Sequence, residues 1–387
     1  MNKQSIIENK IVRHEALTFD DILLLPNYSD VKRQDTYLSV KLHPKIHLHL
    51  PVLSSPMDTV TEESMAIAMA LAGGLGVLHR NVSVEHQASM VIKVKQQKVK
   101  NANESAVDSA VDEHNALLVG AAVGVGSDTM ERVDALMKAK TDVIVVDSSH
   151  GYTKFVIDTV KDIKKQYPKC VLMAGNIATY DGARALIEAG VDILRVGMGP
   201  GSICTTRIIS GMGVPQISAI SAVVRATEDS QATVIADGGI RQIGDMAKAL
   251  AFGATAVMLG SLLAGYDESP GDVAEIHSKK YKIYRGMGSI SAMKKGGAER
   301  YGQSRDTDER KLIAEGVEGF VPYKGSVSNY LYQIHGSLRT SLYYLGSKNL
   351  LEFFEKSRVI KISNAGLLES HPHDVSIESS GGNYAKK

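Results

Sequence analysis

Residues 170–199 read CVLMAGNIATYDGARALIEAGVDILRVGMG. Two apolar runs, CVLMAGN (170–176) and DILRVGMG (192–199), flank YDGARALIEAG (180–190), a helical pattern that stops on glycine. The apolar runs are near-continuous rather than alternating. That predicts strands buried on both faces, as in a parallel sheet. Working outward, the same unit recurs. Strand-like runs stand at PVLSSP (51–56), GLGVLHR (74–80), LLVGAAVG (117–124), DVIVVDSS (142–149), TVIADGG (233–239) and AVMLGS (256–261). Helical patterns lie between them at EESMAIAMALA (62–72), DTMERVDALMKAK (128–140), KFVIDTVKDIKKQ (154–166) and IGDMAKALAFGA (243–254). Asp128 and Glu131 have the spacing of a capping box. Eight evenly spaced units predict an α/β fold of the (β/α)8 barrel class, in preference to an open doubly wound sheet.

The bulk numbers agree. A chain of 387 residues, 44% hydrophobic, can bury a large core and suits a barrel with insertions. The formal charge of +1 gives no basic field for a dedicated nucleic-acid binder. No apolar run approaches the roughly 20 residues of a membrane span. The opening MNKQSIIENKIVRHE has no apolar stretch of a secretory signal, and two cysteines make no disulfide framework. These features predict a soluble, cytoplasmic protein. The chain is expected to form one catalytic barrel over residues 1–375, with a disordered tail at 376–387. Residues 79–115 are expected to give a basic helix and then a polar linker at about 101–115. After the eighth strand, IHSKKYKIYRGMG reads as a β-ribbon. Residues of about 294–320 carry little apolar content and are expected to form a mobile flap.

In such barrels chemistry collects at the C-terminal ends of the strands. There stand Ser54, Ser55, Asp147, Ser148, Ser149, Asn176, Gly197, Gly199, Asp237, Gly238, Gly239, Gly260 and Ser261, nearly all small or polar. ADGGI and LGS follow the seventh and eighth strands, the usual phosphate cradle of the fold. Gly238 and Gly239 let backbone N–H groups approach an anion, and the helix starting near Gly244 adds its dipole. Cys204, in GPGSICTTR (199–207), opens onto the same face among small and hydroxylated residues. A free thiol there reads as a covalent nucleophile, aided by backbone N–H groups, Thr205, Thr206 or Arg207. Cys170 has apolar neighbours and reads as core. No zinc spacing exists, and HPHD (371–374) reads as a surface turn.

GMGPGSICTTR, LTFDDILLLP (17–26), SSPMDTVTE (54–62), ADGGI (236–240), YRGMGS (284–289), ERYGQ (299–303), EGVEG (315–319) and ESHPHDV (369–375) together resemble inosine-5′-monophosphate dehydrogenases, from about Leu17 to Val375. The resemblance implies NAD-dependent oxidation of IMP to XMP in guanine nucleotide synthesis. It makes Cys204 the nucleophile toward C2 of the purine, Thr206 an accessory proton relay, and Arg300 and Tyr301 the flap pair that activates water once the flap enters the emptied cofactor site. It assigns the substrate to Ser55, Ser202, Asp237, Gly239, Gly260, Ser261, Tyr284, Gly286, Met287, Gly288 and Glu315. NAD falls to Asp147, Ser148, Asn176, Arg195, Gly197 and Gly199. A potassium ion falls to carbonyls of Gly199, Gly201 and Cys204, with Glu369, Ser370 and His371 of a neighbouring subunit in a homotetramer.

One departure stands out. Most members insert a pair of nucleotide-sensing CBS modules between the second and third strand units, where this chain has a short linker. Regulation through that pair is then absent, and catalysis survives because the chemical motifs lie on the barrel. GMP reductase, which turns GMP into IMP with NADPH on the same fold, is the rival reading, disfavoured by ERYGQ. A non-catalytic nucleotide- or RNA-binding protein is the remote one, disfavoured by the presence of Cys204 and of the flap pair.

Overall fold

The structure, a computed structural model, describes residues 10–12, 15–99, 108–303, 307–378 and 382–384. Residues 101–107 of the expected linker, 304–306 of the expected flap, and 379–381 and 385–387 of the expected tail lie outside the described residues.

Eight parallel strands close into a barrel. They are β1 (Val52–Ser54), β2 (Leu75–Leu78), β3 (Val119–Val123), β4 (Val143–Asp147), β5 (Val171–Ile177), β6 (Ile193–Val196), β7 (Thr233–Asp237) and β8 (Ala256–Leu259). β8 pairs with β1, which closes the ring and removes the open-sheet alternative. Eight helices follow in alternation: α1 (Glu63–Leu71), α2 (Val84–Gln96), α3 (Thr129–Lys138), α4 (Lys154–Gln166), α5 (Tyr180–Ala189), α6 (Gln216–Arg225), α7 (Ile243–Ala251) and α8 (Ser328–Leu345). All eight strands read from the sequence are present; seven are shorter than their apolar runs, and β5 is as long as its run but starts and ends one residue later.

The strands are buried on both faces, as their unbroken hydrophobicity requires. One set of side chains, among them Leu53, Val77, Val145, Met173, Ile235 and Met258, fills the barrel interior. The other set meets the helices. The interior is stoppered at its lower end by a hairpin, Val40–His43 with Ile46–Leu48. Its Leu42, Ile46 and Leu48 belong to the interior cluster. Burying side chains of that size contributes about 2 kcal/mol each. Thr233 at the start of β7 donates to the Leu42 carbonyl at 2.8 Å and fixes the hairpin. An N-terminal strand, Ile22–Leu24, pairs antiparallel with Val359–Lys361, near the other end of the chain.

The expected capping box at Asp128 does not form. Asp128 has helical dihedrals, and its carboxylate accepts instead from Arg132 Nε at 3.2 Å and Nη2 at 2.9 Å. An arginine one turn on competes for the oxygen that would have capped. A capping box forms at α7, where Asp245 Oδ2 accepts from the backbone N–H groups of Arg241 and Gln242.

Beyond β8 the expected ribbon is a three-stranded antiparallel sheet: Val273–Ile276, Lys279–Arg285 and Glu318–Pro322. The last residues of the expected flap therefore belong to a strand. The rest is not featureless either. Met293, Ala298 and Leu312 are buried together, with Ile290 and Tyr301 packed against them. Sparse apolar residues suffice because short helical turns at Met293–Gly297 and Ala298–Tyr301 bring them to one side.

Candidate active site

β6 ends at Val196 and the chain turns sharply. Gly197 and Gly199 have φ of 153° and 75°. A Cβ on Gly197 would lie 2.1 Å from the Asp237 carbonyl oxygen, so β6 and β7 approach more closely than any side chain permits. Gly197→Ala is expected to destabilise the fold by about 3 kcal/mol through overpacking, read as a lowered thermal midpoint. An unchanged midpoint contradicts this reading.

Cys204 sits half-buried in the loop so formed. Its thiol donates to Thr206 Oγ1 at 3.2 Å. The loop is clamped by main chain from distant segments. Thr205 N donates to the Glu315 carbonyl at 3.0 Å, Val317 N to Ile203 at 3.0 Å, and Glu315 N to Gly288 at 3.0 Å. Residues 203–205, 315–317 and 286–288 thus stack side by side over the strand ends. Arg207 does not serve the sulfur as expected. Its Nε and Nη2 donate to the carbonyls of Met198 (3.2 Å) and Val214 (2.7 Å), so it braces the loop.

Beside Cys204 lies a cavity. Ser202, Gly239, Gly260, Ser261, Ser55 and Asp237 are among the residues that line it. Gly238 and Gly239 take φ of 89° and 77° just before α7, an arrangement that suits an anion. A buried ionic ladder crosses the barrel mouth. Asp237 Oδ2 accepts from Asn176 Nδ2 at 2.7 Å and Arg195 Nε at 2.9 Å. Arg195 also holds Asp147, and Asp147 holds Arg300. Asp147 Oδ2 and Asn176 Oδ1 are buried with no hydrogen-bond partner among the described residues, two acceptors in want of a donor.

Arg300 and Tyr301 close the cavity from above. Ser149 holds the Arg300 carbonyl through its N–H at 3.1 Å and its hydroxyl at 2.8 Å. Burial pushes the Arg300 guanidinium down from its ordinary value, opposed by Tyr301 and assisted by Arg80. Burial pushes the Tyr301 phenol up, with Arg300 opposing. A Cβ on Gly288 would lie 2.7 Å from the Tyr301 ring, so only glycine leaves the ring its place.

A glycine-walled cavity with a thiol at one side sits at the barrel mouth, and the motifs that line it are spread over most of the chain. The sequence model described as the IMP dehydrogenase / GMP reductase domain matches residues 16–373. The chain belongs to this family. It is 45% identical to the inosine-5′-monophosphate dehydrogenase of Borreliella burgdorferi over 95% of this chain and 98% of that one. It is 39% identical to the enzyme of that name from Bacillus subtilis over 96% and 98%. The first alignment runs to 399 residues, close to this chain's length, and the second to 480. The Bacillus relative therefore carries a long segment with no counterpart here.

Within this IMP dehydrogenase / GMP reductase fold, most residues expected at the site converge. Cys204, Thr206, Arg300, Tyr301, Tyr284, Gly286, Met287, Glu315, Asn176, Arg195, Gly197, Gly199 and Gly201 all line the cavity with those already named. Four groups stand apart. Asp147 and Gly288 sit directly behind Arg300 and Tyr301. Ser148 hydrogen-bonds its own loop, donating from Oγ to the His150 carbonyl at 3.2 Å. Glu369, Ser370 and His371 lie at and just past the end of the helix Asn364–Glu369, and they do not line the cavity of their own chain. No cluster of three His, Cys, Asp or Glu fit to hold a metal occurs among the described residues.

Sequence reasoning missed two pairings that aim the upper wall. Arg285 grips Asp58 with Nε at 3.0 Å and Nη2 at 2.6 Å, while Asn81 donates to the same carboxylate at 3.1 Å. Burial works to raise the Asp58 carboxyl, but Arg285 outweighs it and leaves the group below its ordinary value. This fork ties the strand that leads to Met287 onto the β1 loop. The second pairing joins Arg80, just past β2, to Glu299. Asp58 and Arg285 do lie inside the motifs SSPMDTVTE and YRGMGS, which was the available signal.

Proposed function

We propose that the chain is an IMP dehydrogenase, oxidising IMP to XMP with NAD in guanine nucleotide synthesis. The observation that carries the reading is Cys204, reached from a glycine-walled anion cradle on one side and roofed by Arg300 and Tyr301 on the other. Both relatives named above carry the same activity in their names.

The phosphate of IMP rests on Ser202, Gly239, Gly260 and Ser261, its ribose hydroxyls on Asp237, and its base against Ser55, Tyr284, Gly286, Met287, Gly288 and Glu315. Cys204 attacks C2 of the purine. The thiol proton leaves through Thr206, already its hydrogen-bond partner. NAD, held by Asp147, Ser148, Asn176, Arg195, Gly197 and Gly199, would supply the acceptor for the hydride expelled from C2. The carbon is then held to sulfur as a thioimidate. Water adds at C2, its proton passes toward Tyr301 and Arg300, the C–S bond breaks, and XMP departs with the thiol restored. An arginine serves as base only if its pKa falls, and burial acts in that direction.

The residues fit the cofactor. Asp147 Oδ2 and Asn176 Oδ1 are orphaned acceptors suited to ribose hydroxyls and a carboxamide, with Ser148, Arg195, Gly197 and Gly199 beside them. Arg300 occupies Asp147 here, so roof and cofactor share ground. The loop also suits potassium, a hard cation served by oxygen. The carbonyls of Gly199 and Cys204 accept no hydrogen bond from described residues, and that of Gly201 accepts one, from Cys204 N. Glu369, Ser370 and His371 from a neighbouring subunit complete that shell in a homotetramer. One catalytic barrel spans residues 1–375, the flap lies within 294–320, and residues 376–387 form a tail. No described helix is long and apolar enough to cross a membrane.

The test is absorbance of reduced nicotinamide with IMP and NAD in potassium buffer, beside GMP and NADPH. NADH formation is expected, and NADPH consumption with GMP overturns the reading. Exchanging potassium for sodium is expected to lower the rate by about tenfold or more, a difference of at least 1.4 kcal/mol in cation-dependent stabilisation. Equal rates in the two salts remove the cation from the mechanism.

A further inference from the structure

Arg80 is an unusual residue for its position. It follows β2, its side chain is 7% exposed, and it lies against the β3–α3 loop. A Cβ on Gly124 would stand 2.9 Å from Arg80 Nη1, and one on Gly126 would stand 2.8 Å from Glu299 Oε2. Two glycines of GVGSD therefore clear a niche for one guanidinium and one carboxylate. Arg80 Nη1 reaches Glu299 Oε2 at 3.4 Å, a loose contact, and Arg80 Nε is buried with no partner among the described residues. The other nearby carboxylate, Asp128, is committed to Arg132 at 2.9 Å. A buried guanidinium with one distant carboxylate and an idle donor is under-satisfied. Burial pushes it down from its ordinary value although Glu299 and Asp128 oppose, and Arg132 adds to the push.

The neighbours of Glu299 give the niche its meaning. Tyr301 stands over the Cys204 side of the cavity, and Arg300 is on Asp147. On the dehydrogenase reading, which this inference rests on, the nicotinamide ring lies near Cys204 and its ribose on Asp147. Next along a dinucleotide comes the diphosphate, and next along the flap comes Glu299. We propose that Arg80 is an anion seat used in turn by two occupants, the diphosphate of NAD when the flap is raised and the Glu299 carboxylate when it is lowered. Glu299 is thus a positioning residue that stands in for phosphate charge and helps to time the exchange of cofactor for water.

Binding is measured calorimetrically on the full chain in a Cys204→Ala background with IMP present, so that NAD is not consumed. Glu299→Gln is expected to tighten NAD about fivefold, because the competing charge is gone. Adding Arg80→Gln to Glu299→Gln is expected to weaken NAD about tenfold, and Arg80→Lys in the same background to recover most of that. ADP, which carries a diphosphate without nicotinamide, should follow Arg80 in the same way. With Cys204 restored, Glu299→Gln should slow hydrolysis and let the acid-trapped covalent adduct of labelled IMP accumulate. Tighter cofactor with slower hydrolysis is a pairing that mere loss of structure does not give. If Glu299→Gln leaves NAD affinity unchanged, or if Arg80→Gln in that background leaves NAD and ADP unchanged while the melting temperature holds, the shared seat is wrong. The wild-type turnover assay stands apart: failure to form NADH from IMP defeats the dehydrogenase reading, whereas flat binding arms beside normal turnover defeat only the seat.

Discussion

Cys204→Ala is expected to abolish turnover of IMP, by about 10⁵-fold or to the assay floor, while IMP still binds within a few fold of the wild type. No other nucleophile takes its place. Thr206 Oγ1 lies 3.2 Å from the sulfur, but a hydroxyl lacks thiol acidity and is a far weaker nucleophile at neutral pH. The phosphate cradle proposed at Ser202, Gly239, Gly260 and Ser261 owes nothing to the thiol, so affinity is expected to survive. Clamping of residues 203–205 by 315–317 is main-chain hydrogen bonding and survives too. Steady-state rates beside calorimetric IMP titration check this. Turnover near the wild-type rate removes the nucleophile and with it the thioimidate.

Arg300→Ala separates the two halves of the reaction. On the proposed mechanism, hydride transfer needs Cys204 and an open cofactor site, neither of which contains Arg300. Hydrolysis, on the same mechanism, needs the roof. Removing a group that accepts a proton in the transition state costs about 10²–10³-fold. The expected trace is a burst of NADH close to one per site, followed by a steady rate slowed by that factor. Rapid-mixing absorbance resolves the two phases. Removal of the guanidinium also frees Asp147, so NAD is expected to bind no more weakly than before. A burst reduced in step with the steady rate places Arg300 in hydride transfer and overturns the assignment.

The barrel was legible because its signal is local. Each strand is a short, largely apolar run, and most of the turns after them are written in glycine and small polar residues. Cys204 was legible by contrast with its neighbours and with Cys170. Long-range partners were not legible. Arg285 and Asp58 stand 227 residues apart, and Arg80 and Glu299 stand 219 apart. No periodicity links such pairs; only closure of the barrel does. The hairpin of Val40–His43 and Ile46–Leu48 was missed because stoppering a barrel is a tertiary demand on an ordinary-looking segment. The box at Asp128 misled for a similar reason. A side chain one turn on claimed the carboxylate, and spacing alone does not show that competition. Arg207 looked like a partner for the thiol by proximity in sequence, but the loop turns it toward carbonyls.

The segment between α2 and β3 returns at the stoppered end. Ala110 N donates to the Ala70 carbonyl, Leu118 N donates to Ala110, and Ala110 itself packs with Leu42 and Leu48 in the lower interior. The thiol and its roof are at the opposite mouth. Lengthening a surface connection costs little, since each doubling adds only about 0.6 kcal/mol of closure entropy. The two ends of the barrel are therefore free to change separately. A module spliced in below would act on the chemistry above by shifting whole strands or by meeting another copy of the chain. A barrel built this way keeps its reaction in one room and leaves the door for new control in another.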